Sequence, residues 1–492
     1  MKAFSKYILL GTLMGATAVA HAQDSYDAQT MANSDLNGTA RFVAMGGALG
    51  ALGGDISVMS TNPAGTAMYR KSDAAVSVSE LFNGKGAMSH DGTRFSLDQG
   101  GILIAFDMDN PTNEGLQFVN FGINYQKKRN FLSNQLTDVK NLNDTFSQTF
   151  QIADLCNLSY NNNYWGSLTD MSASKEGVHT GILDETGEYG YAGIPAHDAY
   201  YEKATYGANS QADINLSFNF NDQFFFGASI GVYDIKYDRE SFYQEGGVDG
   251  NVYDFTNWYR TEGDGFDVKL GFICRPIEDS PFRFGFSVHT PIWYRMTDSN
   301  GASLYLNDEF VTSCANSEYD YNFRTPWKFG INVGHTIGQN FAIGAEYEYQ
   351  DLSTCHYSGI DGNDVSYFRN TNAITKQTLK GQHTVKVGAE FKPIEALSLR
   401  LGYNFVSSPF KKDAFRTIGY DGIYTETDYT NWGPTNRFTA GLGYRYKGGY
   451  FDIAYQYQMQ KGDFYAFDDV NLAPTKISNN RSQIMATLGF RF

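Results

Sequence analysis

The segment FDIAYQYQMQ, residues 451–460, places an apolar or aromatic side chain at every odd position from Phe451 to Met459. The even positions carry Asp452, Ala454 and three glutamines. Successive side chains of a strand point to opposite faces, so this alternation predicts a strand with one apolar and one polar face. Strands of about ten residues with this pattern are typical of membrane-spanning β-barrels, in which one face meets lipid.

The same alternation recurs along the chain and predicts an all-β protein with fourteen strands. An even number of antiparallel strands can close into a transmembrane β-barrel that leaves no unpaired edge. The predicted strands cover residues 73–83, 98–108, 116–127, 209–220, 223–237, 264–275, 281–295, 325–335, 340–351, 382–392, 396–407, 435–446, 449–460 and 482–492.

The connections between these strands alternate in length. Short turns, such as 221–222 and 447–448, alternate with long polar segments, of which 128–208 is the longest. Outer-membrane barrels have short periplasmic turns and long outer loops. This sorting predicts a monomeric barrel in the outer membrane, in contact with lipid and lipopolysaccharide and with both chain termini periplasmic.

The chain divides into three parts. Residues 1–22 are typical of a secretory signal peptide, because two lysines precede an apolar stretch that ends in the A-x-A site Ala20-His21-Ala22. Residues 73–492 hold the predicted strands, and residues 23–72 lie between these two parts. The formal net charge of −16 disfavours nucleic acid as a partner.

The intervening part contains RFVAMGGALGALGGDISVMSTNPAG, residues 41–65, which is rich in small side chains. Its glycines fit neither the dinucleotide fingerprint nor the phosphate loop. Only 13 uncharged residues separate Arg41 from Asp55, whereas a spanning helix needs about 20. The segment is therefore predicted to be neither a nucleotide site nor a membrane helix.

Fourteen strands enclose a wider lumen than their own side chains fill. We therefore expect residues 23–72 to lie in the lumen as a hatch, or plug. Within it, Asn62, Pro63 and Ala64 are expected to hold a rigid bend against the barrel wall, because proline fixes its own φ and restricts the residue before it.

The inward face of the predicted strands carries charges of both signs, which predicts a solvated lumen with structural ion pairs. Glu346 and Glu348 share a face, but no nucleophile, metal cluster or oxyanion motif accompanies them, so neither an enzyme nor a cofactor site is expected. The candidate lumen residues are Arg283, Lys328, Glu346, Glu348, Lys386 and Arg400, with Lys269, Glu390 and Arg445.

Other residue types leave some questions open. No CxxC motif occurs among the four cysteines, and a disulfide between Cys314 and Cys355 is a hypothesis because both lie in consecutive long loops. Leu132, Leu136 and Val139 recur at helical spacing and predict a helix within residues 131–155. Haem or metal ligation across the loops stays open, with histidines available at His90, His179, His197 and His356.

The signal peptide, the stretch ARFVAMGGALGALGGDISVMSTNPAG and the fourteen strands together resemble the FadL/TodX family of outer-membrane transporters for long-chain fatty acids and hydrocarbons. The stretch is most similar to Bacteroidetes-type members, some of which are labelled hemin receptors. Asn62-Pro63-Ala64 matches the hatch motif of the family, and the closing IMATLGFRF resembles a barrel-assembly signal. The resemblance implies capture of a hydrophobic ligand among the outer loops, a site beside the hatch and lateral exit through a strand kink.

Passive uptake of a hydrophobic small molecule is therefore the leading functional hypothesis, with a fatty acid, a hydrocarbon or haem as the ligand. A porin-like channel with a mobile plug and a haem-binding receptor are alternatives. A third alternative is a role as an assembly partner in protein export, which the hatch neither favours nor disfavours.

Overall fold

The computed structural model describes residues 24–83, 93–109, 115–140, 142–150, 182–183, 189–190, 193–277, 280–315, 318–363, 365–415, 428–467, 469 and 471–492. The predicted signal peptide, Cys156, His90 and His179 lie outside these residues. Within the described ranges, no helix has the length and apolar composition that a membrane crossing requires.

Helical segments are short. They are α1 (Ser25–Ala32), α2 (Ala40–Ala44), α3 (Ser366–Thr378) and 3-10 helices at Ile56–Ser60, Pro63–Met68 and Leu352–Thr354. The strands are β1 (Asp73–Asn83), β2 (Thr93–Asp107), β3 (Leu116–Asn130), β4 (Ser133–Val139), β5 (Ile182–Leu183), β6 (Tyr189–Gly190), β7 (Ala196–Phe220), β8 (Phe224–Gly247), β9 (Val252–Cys274), β10 (Arg283–His289), β11 (Trp293–Leu306), β12 (Glu309–Ala315), β13 (Tyr319–Arg324), β14 (Lys328–Ile337), β15 (Phe341–Asp351), β16 (His356–Gly359), β17 (Gly381–Ile394), β18 (Leu397–Val406), β19 (Tyr429–Tyr446), β20 (Gly449–Tyr465), β21 (Thr475–Ser478) and β22 (Arg481–Arg491).

Fourteen strands close into one antiparallel barrel, which confirms the predicted fold class. The order around the wall is β1, β2, β3, β7, β8, β9, β10, β14, β15, β17, β18, β19, β20 and β22. The ring closes because β1 pairs with β22 from Asp73↔Arg491 to Asn83↔Arg481. Closure satisfies the backbone donors and acceptors of every wall strand within the sheet, as a membrane-spanning structure requires.

The outer face of the barrel carries an apolar belt. On β8, the outward side chains Phe224, Phe226, Ile230 and Val232 are 39–54% exposed, whereas the next outward residue is the charged Asp234. The stretch from Phe224 to Val232 spans about 20 Å at the usual rise and tilt of barrel strands. This height approaches the apolar band of about 25 Å that lipid requires.

Short and long connections lie at opposite ends of the barrel, as predicted. Each of the fourteen predicted strands corresponds to a wall strand. At the short-turn end the bounds agree closely, but at the long-loop end several strands continue past the apolar belt. There, β4, β11, β13, β16 and β21 extend the wall by pairing with β7, β9, β11, β13 and β20, respectively.

Two neighbouring wall strands are broken at prolines, which corrects the prediction of a continuous strand over 281–295. The chain leaves the sheet at residues 290–292, between β10 and β11, and at residues 325–327, between β13 and β14. Pro291 and Pro326 have no N–H for the ladder. Thr325 closes part of the gap, since its N–H donates to Ile292 O at 3.1 Å and its Oγ1 accepts from Ile292 N at 2.8 Å.

The helix predicted within residues 131–155 is wrong over its first part. Residues 133–139 form β4, which pairs with β7 from Ser133↔Thr205 to Val139↔Ala199. Leu136 is 50% exposed, so the apolar residues at helical spacing do not form a buried stripe. Residues 151–155 lie outside the described part of the chain.

Residues 24–72, here called the inner segment, run from one end of the barrel to the other. Ser72 O accepts from the N–H of the C-terminal Phe492 at the short-turn end. At the other end, Asp24 O accepts from the Tyr357 hydroxyl, beyond the apolar belt. Phe492 therefore lies at the short-turn end of the barrel, whereas Asp24 lies at the long-loop end.

Candidate functional site

The inner segment folds into a compact unit between Thr39 and Tyr69. Thr39 caps α2, because its Oγ1 accepts from Phe42 N, and the same hydroxyl donates to the Asp55 carboxylate at 2.7 and 2.9 Å. Gly46 and Gly53 have φ values of +62°, which favour glycine, and turn the chain back at these two positions. The abundance of small residues thus reflects tight turns within a confined space.

The inner segment touches the barrel wall on many sides, and the wall meets it with glycines. A Cβ atom at any of these positions would lie within 3.0 Å of an atom of the inner segment, too close for a side chain. At Gly402, for example, the nearest atoms are backbone atoms of Gly46 and Met45. The wall glycines in such contact are Gly101, Gly122, Gly227, Gly271, Gly344, Gly388, Gly402 and Gly441.

The three predicted motif residues lie against this wall. Asn62 caps the 3-10 helix Pro63–Met68, since its Oδ1 accepts from Ala64 N at 3.2 Å. Its Nδ2 donates to Asn332 Oδ1 on β14 at 2.8 Å. Pro63 and Ala64 face Gly227 and Gly271, where a Cβ atom would collide with their backbone. Close backbone contact with the wall and the side-chain hydrogen bond between Asn62 and Asn332 hold this bend.

Wall side chains also bond the backbone of the inner segment. Asn120 on β3 donates to Thr66 O and Tyr69 O at 2.7 and 3.0 Å. Arg283 on β10 donates to Leu52 O at 2.8 Å, and Thr439 on β19 donates to Ala44 O at 3.0 Å. These bonds satisfy carbonyls that the irregular backbone of the segment would otherwise leave unpaired inside the barrel.

The predicted lumen carboxylates pair with Lys386. Its Nζ lies 2.7 Å from Glu348 Oε1 and 3.3 Å from Glu346 Oε2. Glu346 also accepts a hydrogen bond from the N–H of Gly50, at 2.5 Å. Lys328 lies on the neighbouring strand, where its charge acts on Glu348. These residues neutralise one another and bind the inner segment, so their arrangement is that of a structural ion network.

A second network surrounds Arg400. Its guanidinium lies 2.6 Å from Glu390 Oε2 and also bonds Asp452 on β20. Arg41 of the inner segment lies 3.1 Å from the same Glu390 oxygen. Arg445, half-buried on β19, shares this face. Glu390 thus ties the inner segment to a buried arginine of the wall.

A third network was only partly foreseen. Lys269 is 1% exposed and lies 2.7 Å from Asp213 Oδ1 and from Asp267 Oδ1. The two aspartates occupy inward positions of β7 and β9, and the alternation around them was the available signal. Sequence reasoning named Lys269 alone. Asp267 lies two residues away on β9, whereas Asp213 lies on β7, which β8 separates from β9, so the contact with Asp213 depends on the curvature and register of three strands.

At the long-loop end, α1 lies in an aromatic cluster. The Tyr26 ring lies 5.1 Å from that of Phe410 and 5.6 Å from that of Tyr429, and its hydroxyl donates to Asn431. Helix α3 covers the same cluster through Phe368, which is fully buried. The inner segment therefore meets packed side chains at this end as well.

Two polar cavities lie beside residues 33–37, between α1 and the compact unit. One has a volume of about 90 Å³ and is bordered by Asp267, Lys328 and Glu348. It also reaches the proline breaks at Thr290 and Pro326. The other has a volume of about 120 Å³ and lies towards β3, β19 and β22.

The structure bears on the predicted disulfide and on two of the loop histidines. Cys355 is a free thiol that is 3% exposed, so the disulfide predicted between Cys314 and Cys355 is wrong. His197 pairs with Asp144, and His356 is half-buried at the start of β16. Within the described ranges, no three His, Cys, Asp or Glu side chains are grouped so that they could hold a metal ion.

Cys355 is expected to resist thiol reagents in the folded protein. Burial raises the pKa of its thiol well above the ordinary value, which suppresses the reactive thiolate. Mass mapping after maleimide treatment at neutral pH should find Cys355 unmodified in the native barrel and modified after unfolding. Rapid labelling of the native protein, or a mass that includes a disulfide at this position, would contradict the burial.

The sequence matches no protein-family model and no curated protein. Several solved structures match its fold over most of both chains. A FadL homologue from Pseudomonas aeruginosa aligns over 94% of this chain and 100% of its own, with 13% identity and a TM-score of 0.52. The toluene transporter TbuX of Ralstonia pickettii aligns over 93% and 99%, with 13% identity and a TM-score of 0.52.

The toluene transporter TodX of P. putida aligns over 93% of this chain and 99% of its own, with 12% identity and a TM-score of 0.51. At such low identities the likeness concerns the fold alone. The number of wall strands and the alignment over nearly full lengths agree in placing this chain in one architectural group. The chain therefore has the fold of the FadL-type outer-membrane channels.

Proposed function

We propose that this protein is an outer-membrane channel for the passive uptake of hydrophobic small molecules, and that residues 24–72 act as its hatch. The observation that carries the proposal is the fit between the inner segment and the wall. Wall glycines on both halves of the ring, such as Gly227 and Gly402, admit its backbone at distances that exclude a side chain. A porin needs an open lumen, whereas this lumen holds a fitted segment.

The proposed class of cargo follows from the channels that share the fold. TbuX and TodX are described as toluene transporters, and CymD as a monoaromatic hydrocarbon channel. Their common cargo is apolar, and an apolar ligand gains little from a water-filled pore. The apolar belt and the aromatic cluster at the long-loop end suit a route in which the ligand is captured outside and then meets the inner segment.

The proline breaks are our candidate for a lateral exit. The cavity of about 90 Å³ reaches Thr290, Ile292 and Pro326 from the inside. On the outside, Trp293 and Trp327 flank the breaks and are 39% and 49% exposed. Both proline breaks lie at the same height in the wall. Fewer backbone hydrogen bonds would therefore have to break to open the wall there than elsewhere.

Uptake assays test the proposal. The full-length protein should be produced in a bacterial strain that lacks its own outer-membrane channel for hydrophobic compounds. Radiolabelled toluene and laurate should enter faster with the protein than without it, whereas radiolabelled sucrose should not. Equal acceleration of sucrose uptake would favour the porin alternative, and no acceleration of any probe would reject a transport role.

A double proline variant tests the lateral exit in the same uptake assay. Replacing both prolines, P291A with P326A, restores two backbone donors and should let the ladders continue, so uptake of the transported probe should fall severalfold. P281A, in a short-turn connection away from the breaks, is the matched control and should transport normally. Unchanged uptake in the double variant would place the exit elsewhere without affecting the transport assignment.

A further inference from the structure

Side chains from opposite parts of the wall meet at the long-loop end of the barrel. In the wall order, β8 is fifth and β19 is twelfth, so these strands lie opposite one another in the ring of fourteen. Asp428 directly precedes β19, yet its Oδ2 lies 3.7 Å from Arg239 Nη1 on β8. We infer that contacts across the mouth form an outer gate, distinct from the hatch, which Asp428 holds shut.

The centre of this gate is a buried ion-pair group of Asp428, Lys203 and Arg239, here called the latch. Both carboxylate oxygens of Asp428 accept from Lys203 Nζ on β7 at 2.8 Å. The three side chains are at most 11% exposed. Arg239 also lies over the ring of Tyr259, at 5.2 Å, which holds its guanidinium on its own side of the mouth. One carboxylate thus faces two buried cations from the opposite wall.

Aromatic side chains join the two sides beyond the latch. Tyr201 on β7 stacks on Phe464 of β20, with ring centroids 4.7 Å apart. Tyr243 on β8 meets the edge of Phe467, which follows β20, at 6.5 Å. All four side chains are at most 1% exposed. Both tyrosines lie farther from the apolar belt than the latch residues of the same strands, so this aromatic layer shields the latch from water.

These contacts can separate without breaking the barrel. Within the described ranges, no backbone hydrogen bond joins β7 or β8 to residues 428–432 or to residues 464–467. Side chains therefore join the two sides, whereas continuous strand ladders hold the wall below them. A change of charge in the latch would act on the balance between a closed and an open mouth and leave the ladders intact.

The gate also contacts the inner segment. Tyr429 follows Asp428, and its ring lies 5.6 Å from that of Tyr26 in α1. The Tyr26 hydroxyl donates to Asn431 Oδ1 at 2.9 Å. Deletion of the inner segment would therefore also remove a support of the gate. The inference rests on the proposed function, because a gate controls passage only in a channel, and it adds a second barrier to the hatch.

A thiol reporter behind the latch tests the gate. Ser34 of the inner segment borders both polar cavities, so S34C places a thiol on the inner side of the mouth. Whole cells that carry the full-length variant are treated with sulfonatoethyl methanethiosulfonate, a small membrane-impermeant thiol reagent, and mass mapping follows the label at position 34. Labelling should be slow with the latch intact. D428K places a third cation beside Lys203 and Arg239, so labelling should become at least about tenfold faster.

Two further variants separate the effect of charge from local damage. K203E combined with D428K restores opposite charges and should return labelling to nearly the rate of S34C alone. D463K is the matched control, because Asp463 pairs at the same end of the barrel with Lys476, which is 76% exposed. It should leave the rate unchanged. If heat-modifiable mobility shows that D428K does not assemble, D428N takes its place, since it removes the charge at nearly constant size.

Equally fast labelling with and without the latch, or no labelling in any variant, would overturn the inference. Failure of the charge reversal to slow the reaction would overturn it as well. Labelling needs no cargo, so in each of these cases the uptake assays still decide the proposed function. Labelling that depends on the latch, without uptake of any probe, would reject the transport role but confirm that the mouth opens at Asp428.

Discussion

Deletion of residues 23–72 should raise single-channel conductance in planar bilayers from a closed baseline to that of an open porin. The inner segment packs on wall glycines from Gly101 to Gly441, inside a lumen that fourteen strands leave wide. Wall glycines such as Gly388 and Gly402 have no side chains that could replace it. The lining that remains, including Lys386 and Arg400, is charged and would admit water and ions.

A milder variant separates the hatch from the barrel. G402V adds a side chain where the backbone of Gly46 and Met45 approaches the wall, so it should displace the segment and cause intermittent conductance. G100V is the matched control, because a Cβ atom at Gly100 meets nothing within 4 Å. Heat-modifiable mobility on electrophoresis would verify that each barrel is assembled. If the intact protein already conducts like a porin and the deletion changes nothing, the hatch proposal fails.

Replacing Lys269 with methionine should be among the most destabilising single changes in the wall. Lys269 and its partners Asp213 and Asp267 have side chains that are at most 3% exposed. Removing the cation leaves two buried carboxylates unpaired, which costs about 3–5 kcal/mol. The midpoint of denaturant unfolding in detergent should fall accordingly.

The control for this change is K476M. Lys476 pairs with Asp463 in the same way, but its side chain is 76% exposed, and exposed ion pairs contribute about 0–1 kcal/mol. Similar unfolding midpoints for K269M and K476M would show that the buried triad is not a stabilising element.

The wall could be predicted from the sequence because its two faces meet different solvents. Lipid contact imposes apolar residues at every second position, and the resulting alternation located all fourteen strands. Beyond the belt, the outward positions of β8 carry the polar residues Asp234 and Lys236, whereas the inward residues Ile235 and Tyr237 are buried. The apolar face therefore changes sides, and the pattern of the belt does not continue. This is why the upper part of β8, from Asp238 onwards, is predicted as a loop although the strand continues to Gly247.

Two errors have a common physical origin. Period-two alternation continues through Pro291, and it outweighed the missing N–H that breaks the strand there. In residues 131–155, apolar spacing suggested a helix, whereas pairing with the distant β7 determines the conformation of β4. A local sequence pattern reflects only residues that are close in sequence. The strand break at Pro291 and the conformation of β4 depend on residues that are close in space.

The residues inside the barrel also differ in how far they could be predicted from the sequence. The pairs Glu346↔Lys386 and Glu390↔Arg400 lie opposite each other on adjacent strands. A prediction of the register of each strand pair would therefore have identified these ion pairs. Arg129, Arg437 and Arg481 come from β3, β19 and β22, and closure of the barrel brings them to one cavity. No local signal in the sequence marks such a group.

The path of the inner segment constrains biogenesis. The segment runs from Asp24 at the long-loop end to Ser72 at the short-turn end, directly before the first strand, and between these ends it packs closely on the wall glycines. A finished ring cannot be threaded afterwards by such a chain. The sheet must therefore close around the amino-terminal residues during assembly, and β1 and β22 are the last strands to pair. Under the proposed hatch role, insertion and plugging are a single event, and no unsealed pore forms during assembly.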